Sequence, residues 1–167
     1  DWGTPRARRV MALLKAETYY ARIRREGVSL RERLVSNFDA LGRLGCAFSD
    51  LANATMKWMW VRKLLERAVG FAHKRPLPPF AHERFDRWFR KRRNGKAEAP
   101  RGRVLLWDDC FVRYNEPNIG QAATEVLEAA GYDVALVEGR RCCGRTAFSV
   151  GRLDVAKDWG DHNIALI

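Results

Sequence analysis

The sequence holds no apolar run approaching the about 18 residues that a membrane span requires, and no signal-type hydrophobic segment. It also opens without an initiator Met, on DWGTPRARRV, so the start reads as internal and the chain as a fragment. Cysteine is scarce, with four in 167 residues, and only Cys46 lies outside the C-terminal part. So few thiols, so unevenly placed, exclude a disulfide scaffold and point to a reducing compartment, the cytoplasm. No Gly-x-Gly-x-x-Gly fingerprint follows a β run, which argues against dinucleotide binding. No Ser, His and Asp constellation is evident among three histidines. His73 and His82 flank a proline loop and His162 sits in the last helical stretch, positions that suit surface or capping roles. No catalytic residue is assigned, and the fragment alone is not expected to be active.

What is present divides in two. With 47% hydrophobic and 31% charged residues the chain can bury a core. Its net charge of +11 is uneven: 25 Lys and Arg face 10 Asp and Glu up to residue 103, against 6 and 10 thereafter. Such a swing marks modules with different surroundings. The predicted organisation is a basic helical region over 1–95, a linker over 96–102 and an α/β region over 103–167.

The basic part reads as helices. Thr4 and Pro5 start one that Gly27 closes, with Val10, Leu13, Leu14 and Ile23 as its apolar positions. Ser29 and Glu32 form a capping box ahead of a second, which carries Leu30, Leu34, Phe38 and Leu41 and stops near Gly42 or Gly45. Ser49 and Asp50 cap a third that runs to Gly70, its broad face lined by Leu51, Trp58, Val61, Leu64, Leu65 and Ala68. After the loop HKRPLPPF a basic helix over about 81–92 carries Phe85, Trp88 and Phe89. Three readings of the positive charge stand side by side. The cations are the solvated faces of helices packed on neighbouring domains. Or MKWMWVRKLL, with Trp58 and Trp60 among Lys57, Arg62 and Lys63, lies on a membrane surface. Nucleic acid is the least favoured partner, because the arginines are scattered and no binding module accompanies them.

Beyond the seam the period changes. RVLLW (103–107) and YDVALV (132–137) are β runs, and between them IGQAATEVLEAAG is a helix with Ile119, Ala122, Ala123, Val126, Leu127 and Ala130 on one face. The connection is long enough for a right-handed crossover between parallel strands. A further helix is expected over about 151–165. The expected fold class is α+β overall: a helical N-terminal region, then a truncated α/β, Rossmann-like domain with a short parallel sheet.

Cys110 follows the first β run, and the doublet Cys142 and Cys143 the second. Parallel neighbours would deliver all three thiols to one carboxyl edge, where open α/β sheets bind ligands. Adjacent cysteines make a strained mutual disulfide, so metal or iron–sulfur ligation is one use of them. Gly144 would let the backbone approach a bulky group. Arg140, Arg141 and Arg145 would offset the charge of a thiolate-bound group. The plain alternative is that the doublet is two small buried residues and Cys110 a coincidence; Cys46, alone between helices, reads as packing.

The stretch DDCFVRYNEPNIGQAATEVLEAAGYDVALVEGRRCCGRTAFSVG resembles the cysteine-rich CCG domain found in heterodisulfide reductase, in the iron–sulfur component of glycolate oxidase and in lactate-oxidising relatives. In that family a Cys, thirty-odd residues and Cys-Cys-Gly are followed, thirty-odd residues on, by Cys-x-x-C; here 31 residues separate Cys110 from Cys142. The segments LLKAETYYARIRREGVSLRERL and PLPPFAHERFDRWFRKRR look like the helical part that follows ferredoxin-like cysteines in bacterial chains fusing an FAD-linked oxidase, a 4Fe-4S domain and CCG domains. The resemblance implies electron transfer from FAD, in an upstream domain, during oxidation of D-lactate or glycolate. The acceptor would be a quinone or another oxidant, and the protein would lie in the cytoplasm or peripherally at the inner membrane face. It implies Cys110, Cys142 and Cys143 as ligands of a 4Fe-4S cluster, with Gly144 beside it, and a site left incomplete because the Cys-x-x-C falls beyond the chain. Fused or separate FAD-linked oxidase and ferredoxin-like domains would be its partners. Asp108 and Asp109 depart from the family's small Pro-Gly turn and put two negative charges near a negative cluster. The competing reading is a helical interaction module with a zinc or structural cysteine cluster, binding anionic lipid or nucleic acid.

Overall fold

The computed structural model describes residues 5–92 and 100–167, with side chains from Val10 onward. In chain order the first elements are α1 (Pro5–Glu26), α2 (Leu30–Ser36), α3 (Phe38–Ala47), α4 (Ser49–Met56), α5 (Met59–Val69) and α6 (Phe85–Arg92). After them come β1 (Arg103–Leu106), α7 (Cys110–Tyr114), α8 (Pro117–Ala129), β2 (Asp133–Leu136), α9 (Arg145–Ser149) and α10 (Leu153–Ile164). The chain is mostly helical, with a two-stranded parallel sheet. It packs as two compact units: the chain up to Phe38 with Arg141–Ala165, and Asp39–Arg140, the last two residues being divided between them. The helix before the charge seam, α6, and the strand after it, β1, belong to the same unit. Residues 93–99, and so much of the expected linker, lie outside the described residues, as does the expected cap Thr4.

In the first unit α1 spans the segment its Ala, Leu, Arg and Glu content favours. Gly27 ends it at a φ of 86°, and its N–H returns to the Ile23 carbonyl. Val10, Leu13 and Leu14 are exposed while Ala16 is buried, so the helix buries a small residue rather than its expected apolar face. The capping box forms as predicted: the Glu32 N–H donates to Ser29 Oγ at 3.3 Å and the Ser29 N–H to Glu32 Oε2 at 2.8 Å. Arg22 closes an ion pair on the same carboxylate. At Asn37 the expected second helix breaks. Its Nδ2 donates to the Arg33 carbonyl at 2.7 Å, a side-chain bond that competes with the helical ladder. Small residues hold α9 and α10 close by: Ala147 and Ser36 have no exposed surface, Arg152 donates to Ser36 Oγ at 2.7 Å, and the Tyr20 hydroxyl donates to Asp154 at 3.1 Å.

In the second unit Gly42 and Gly45 lie inside α3 rather than ending it. A Cβ on Gly42 would stand 2.4 Å from Tyr114 Cδ2, and one on Gly45 2.5 Å from the Phe80 ring. These glycines are sockets for aromatic rings. The expected third helix is likewise two, α4 and α5, parted at Lys57 and Trp58; Gly70, at a φ of 77°, ends it as predicted. Leu51, Trp58 and Leu64 of its expected apolar face are exposed. The proline loop is held by amides: Asn53 accepts the Phe80 N–H and donates to the Phe80 carbonyl, and Asn115 donates to the Pro79 carbonyl. Phe85, Phe89 and Val134 form the core, with Trp88, Val104, Leu106, Val112, Leu127 and Leu136 packed on it. The face of α8 differs from the expected one: Ile119 and Val126 are exposed, and Gly120 and Thr124 are buried. A Cβ on Gly120 would meet Phe85 and Val112 at 2.7 Å. Strands β1 and β2 pair in parallel as predicted, in the register Arg103 to Asp133 through Leu106 to Leu136.

Two measurements test this packing. Gly42→Ala drives a methyl into Tyr114 and is expected to cost about 1–3 kcal/mol in urea unfolding. Gly160→Ala, in α10 where a Cβ meets nothing, should gain about 0.5–1 kcal/mol from helix propensity. Asp86 supplies a pH test. Burial alone would raise its pKa, but hydrogen bonds and charge from Arg84, with the charges of Arg113 and Arg90, outweigh burial and hold it below the usual aspartate range. A depressed folded pKa stabilises above the unfolded value of about 3.9, and that stability disappears as pH falls through the lower folded value. Asp86→Asn should therefore flatten the acid limb of the urea midpoint against pH.

Candidate thiol site

Asp108 lies two residues past the end of β1 and is buried, with no exposed side-chain surface. A carboxylate removed from water persists only when paired and hydrogen-bonded. Here Arg113 grips it through both nitrogens, Nε to Oδ2 at 2.5 Å and Nη2 to Oδ1 at 2.8 Å. Arg140, from the segment leaving β2, donates to Oδ1 at 3.0 Å. Arg140 also reaches Asp39 at 3.4 Å and lies over the Trp107 ring, 5.8 Å from its centroid. The negative charge expected to burden this position is thus met by two guanidiniums. Arg140 is in turn engaged by the carboxylates of Asp108 and Asp39.

Asp109 does separate work. Its side chain caps α7 by accepting the Val112 N–H at 2.9 Å, and so sets where the helix begins. Cys110 is the first residue of that helix and is buried; its Sγ lies 3.5 Å from Asp39 Oδ1. The sequence shows no helical signal at α7 beyond this Asp, because five residues are too few for a period.

The doublet lies in the other unit. Cys142 is buried and Cys143 exposed. The backbone of Arg141 and Cys142 is held by Asn163 of α10, itself buried: its Oδ1 accepts the Arg141 N–H at 2.9 Å, and its Nδ2 donates to the Cys142 carbonyl at 3.2 Å. Arg141 pairs with Asp158 at 2.6 Å. Gly144 follows with a φ of 80° and is the capping residue immediately before α9. The close approach it permits is to α10, since a Cβ there would lie 3.2 Å from the Ala156 carbonyl oxygen. Sequence reasoning missed Asp39, Arg113 and Asn163 as partners of this region. Charge type made Arg113 a candidate for Asp108, but nothing in the sequence ties Asn163 to the doublet.

None of the four cysteines is in a disulfide. Among the described residues no group of three or more His, Cys, Asp and Glu is arranged to hold a metal ion. Cys46 is buried, and its Sγ donates to the Tyr114 carbonyl at 3.2 Å. Burial pushes that thiol's pKa up, as suits a packing residue.

Residues 104–167 match the profile of the CCG cysteine-rich domain. This stretch belongs to the CCG domain family. A component of the anaerobic glycerol-3-phosphate dehydrogenase of Escherichia coli K12 is 32% identical over 139 residues, 83% of this chain and 35% of the relative. An alignment that long necessarily runs outside the CCG stretch into the helical region. A component of the fumarate reductase (CoM/CoB) of Methanothermobacter marburgensis is 33% identical over 66 residues, 40% of this chain and 14% of the relative. Lactate utilization protein A of Bacillus cereus strain B4264 is 37% identical over 62 residues, 37% of this chain and 26% of the relative. The chain thus spans about a third of the length of the dehydrogenase component and less of the other two. No solved structure matches it.

The buried carboxylate gives the site its test. Asp108→Asn strips Arg113 and Arg140 of the charge they share and is expected to cost about 3–5 kcal/mol of unfolding free energy. Asp109→Ala, which loses only the helix cap, should cost about 0.5–2 kcal/mol. Paired urea titrations of the two variants separate the roles.

Proposed function

We propose that the chain is an iron–sulfur electron-transfer module of a flavin-dependent dehydrogenase, with Cys110, Cys142 and Cys143 as ligands of a 4Fe-4S cluster. The observation that carries this reading is the parallel register of β1 and β2: the segments leading to Cys110 and to the doublet leave the sheet at one edge, inside a stretch of the CCG family. The donor chemistry fits, because the thiols are not consumed in disulfides. Three thiols are fewer than the four such a cluster takes, so the proposal includes a donor that is not among these residues. When bound, the cluster supplies one-electron chemistry. The chain's own part is positional. Asn163 fixes the Cys142 backbone, Gly144 lets the chain pass close to Ala156 of α10 just before α9, and Asp109 sets the start of the helix that carries Cys110.

Electrons would come from a reduced flavin in a partner domain, one at a time, and pass through a ferredoxin-like domain to a quinone or another acceptor at the membrane face. The substrate side is a small hydroxylated anion. A 2-hydroxy acid, D-lactate or glycolate, agrees with the likeness to lactate utilization protein A. The alignment of 83% of this chain with the glycerol-3-phosphate dehydrogenase component favours glycerol 3-phosphate as a second reading.

The test uses the product of the full reading frame, purified anaerobically and reconstituted with iron and sulfide. Cys142→Ser and Cys143→Ser are each expected to lose cluster absorbance and the electron paramagnetic resonance signal of the reduced form, while Cys46→Ser keeps both. Full cluster content in both doublet variants would overturn the ligation. Stoichiometric zinc in place of iron, retained through purification, would favour a structural cysteine cluster in an interaction module.

A further inference from the structure

Where α4 gives way to α5, the chain turns its largest apolar side chains outward. Trp58 is 50%, Met59 51%, Trp60 64% and Leu64 58% exposed. Trp58 adopts an extended backbone, φ −80° and ψ 122°, ahead of the first residue of α5. Its ring stacks on that of Trp60, with centroids 5.8 Å apart and planes inclined by 21°. The two indoles are thus ordered against each other while each keeps half or more of its surface in water. Lys57 and Lys63, both exposed, border the same concave surface as Trp58, Met59 and Trp60. The local charge is one-sided: between Asp50 and Glu83 six Lys and Arg face a single acid, Glu66. That acid is occupied by His73, whose Nδ1 lies 2.6 Å from its carboxylate.

From this surface we infer that the α4–α5 corner docks in the plane of an anionic lipid bilayer. Indole rings favour the headgroup level, where an apolar body and an N–H donor are both satisfied. Lysines beside them add electrostatic attraction to anionic headgroups. The contact is interfacial rather than spanning, since no described helix is long and apolar enough to cross a membrane. The surface favours lipid over nucleic acid in its hydrophobic content: a stacked indole pair flanked by Met59 and Leu64 offers buried area to acyl chains, whereas bases require splayed aromatic platforms along a charged track. This deepens the proposal that electrons leave at a membrane face by naming the surface that meets it. It requires no cluster, so the two readings fail separately.

The full-length product is mixed with sucrose-loaded vesicles of phosphatidylcholine alone or with phosphatidylglycerol, and sedimented at low and raised salt. Binding is expected to the anionic vesicles only and to weaken with salt. Trp58→Ala/Trp60→Ala and Lys57→Glu/Lys63→Glu should each lower the partition coefficient by about ten-fold or more, with the melting temperature unchanged because these side chains are exposed. Brominated acyl chains should quench wild-type tryptophan emission, and Trp58→Phe/Trp60→Phe should remove most of that quenching. Undiminished partitioning of the Trp58→Ala/Trp60→Ala protein would overturn the assignment, since overall charge would then suffice. Tighter binding to duplex DNA than to anionic vesicles at equal salt would overturn it as well.

Discussion

A carboxylate that has lost its water must be surrounded by positive charge, and at Asp108 this requirement organises the carboxyl end of the sheet. The side chain has no exposed surface, and neither Arg113 nor Arg140 can leave it without stranding a buried charge. Because Arg113 belongs to α7 and Arg140 to the segment leaving β2, one residue ties the short helix after the first strand to the exit from the second. The two strands share only four residue pairs, too few for backbone pairing to fix their exits unaided. The ion pair extends the register past the last ladder bond. Asp39 adds α3 to the group through Arg140, and the Cys110 thiol lies against that same carboxylate.

The rest of this unit is built by bringing backbone close to aromatic rings. Tyr114 lies over Gly42, Phe80 over Gly45 and Phe85 over Gly120. Each glycine sacrifices about 0.5–1 kcal/mol of helix propensity and receives a ring where any Cβ would collide. The energy returned is burial: Phe85 and Tyr114 have no exposed surface at all. A core of this kind tolerates little enlargement, because a socket one methyl smaller no longer admits the ring.

These sockets explain what sequence reading could and could not reach. Hydrophobic period and caps located α1, the start of α2, α8, α10 and both strands, since each of those signals is local: Pro5 and Gly27 at the ends of α1, and a capping box at Ser29 ahead of α2. The same local rules misassigned Gly42 and Gly45 as stops, because a glycine facing a ring and a glycine ending a helix look alike until the ring is placed. They merged α2 with α3 and α4 with α5, because Asn37 and Lys57 break helices through a hydrogen bond and a turn that leave little compositional trace. They put Ile119 and Val126 on the buried face of α8, where the packing chose Gly120 and Thr124. At the thiols, the sequence supplied the doublet, its spacing from Cys110 and the adjoining Gly144. It could not supply Asn163, whose hold on the Cys142 backbone spans 21 residues of chain and uses a side chain with no motif to announce it.

Charge shows the same division between count and placement. Arg140 and Arg141 are neighbours, yet Arg140 is buried against Asp108 while Arg141 lies at the surface with Asp158. A formal sum weights them equally. Only one of them contributes to the field that a partner meets, because an arginine whose charge is cancelled within a few ångströms by a buried carboxylate projects little potential beyond the surface. The net charge of +11 is therefore a poor guide to where a partner would bind. The cations that remain effective are those whose neighbouring acids are few, and the 51–82 segment, with six against one, is where that imbalance coincides with apolar side chains turned to water. That coincidence, rather than the total, gives the basic half of the chain a direction.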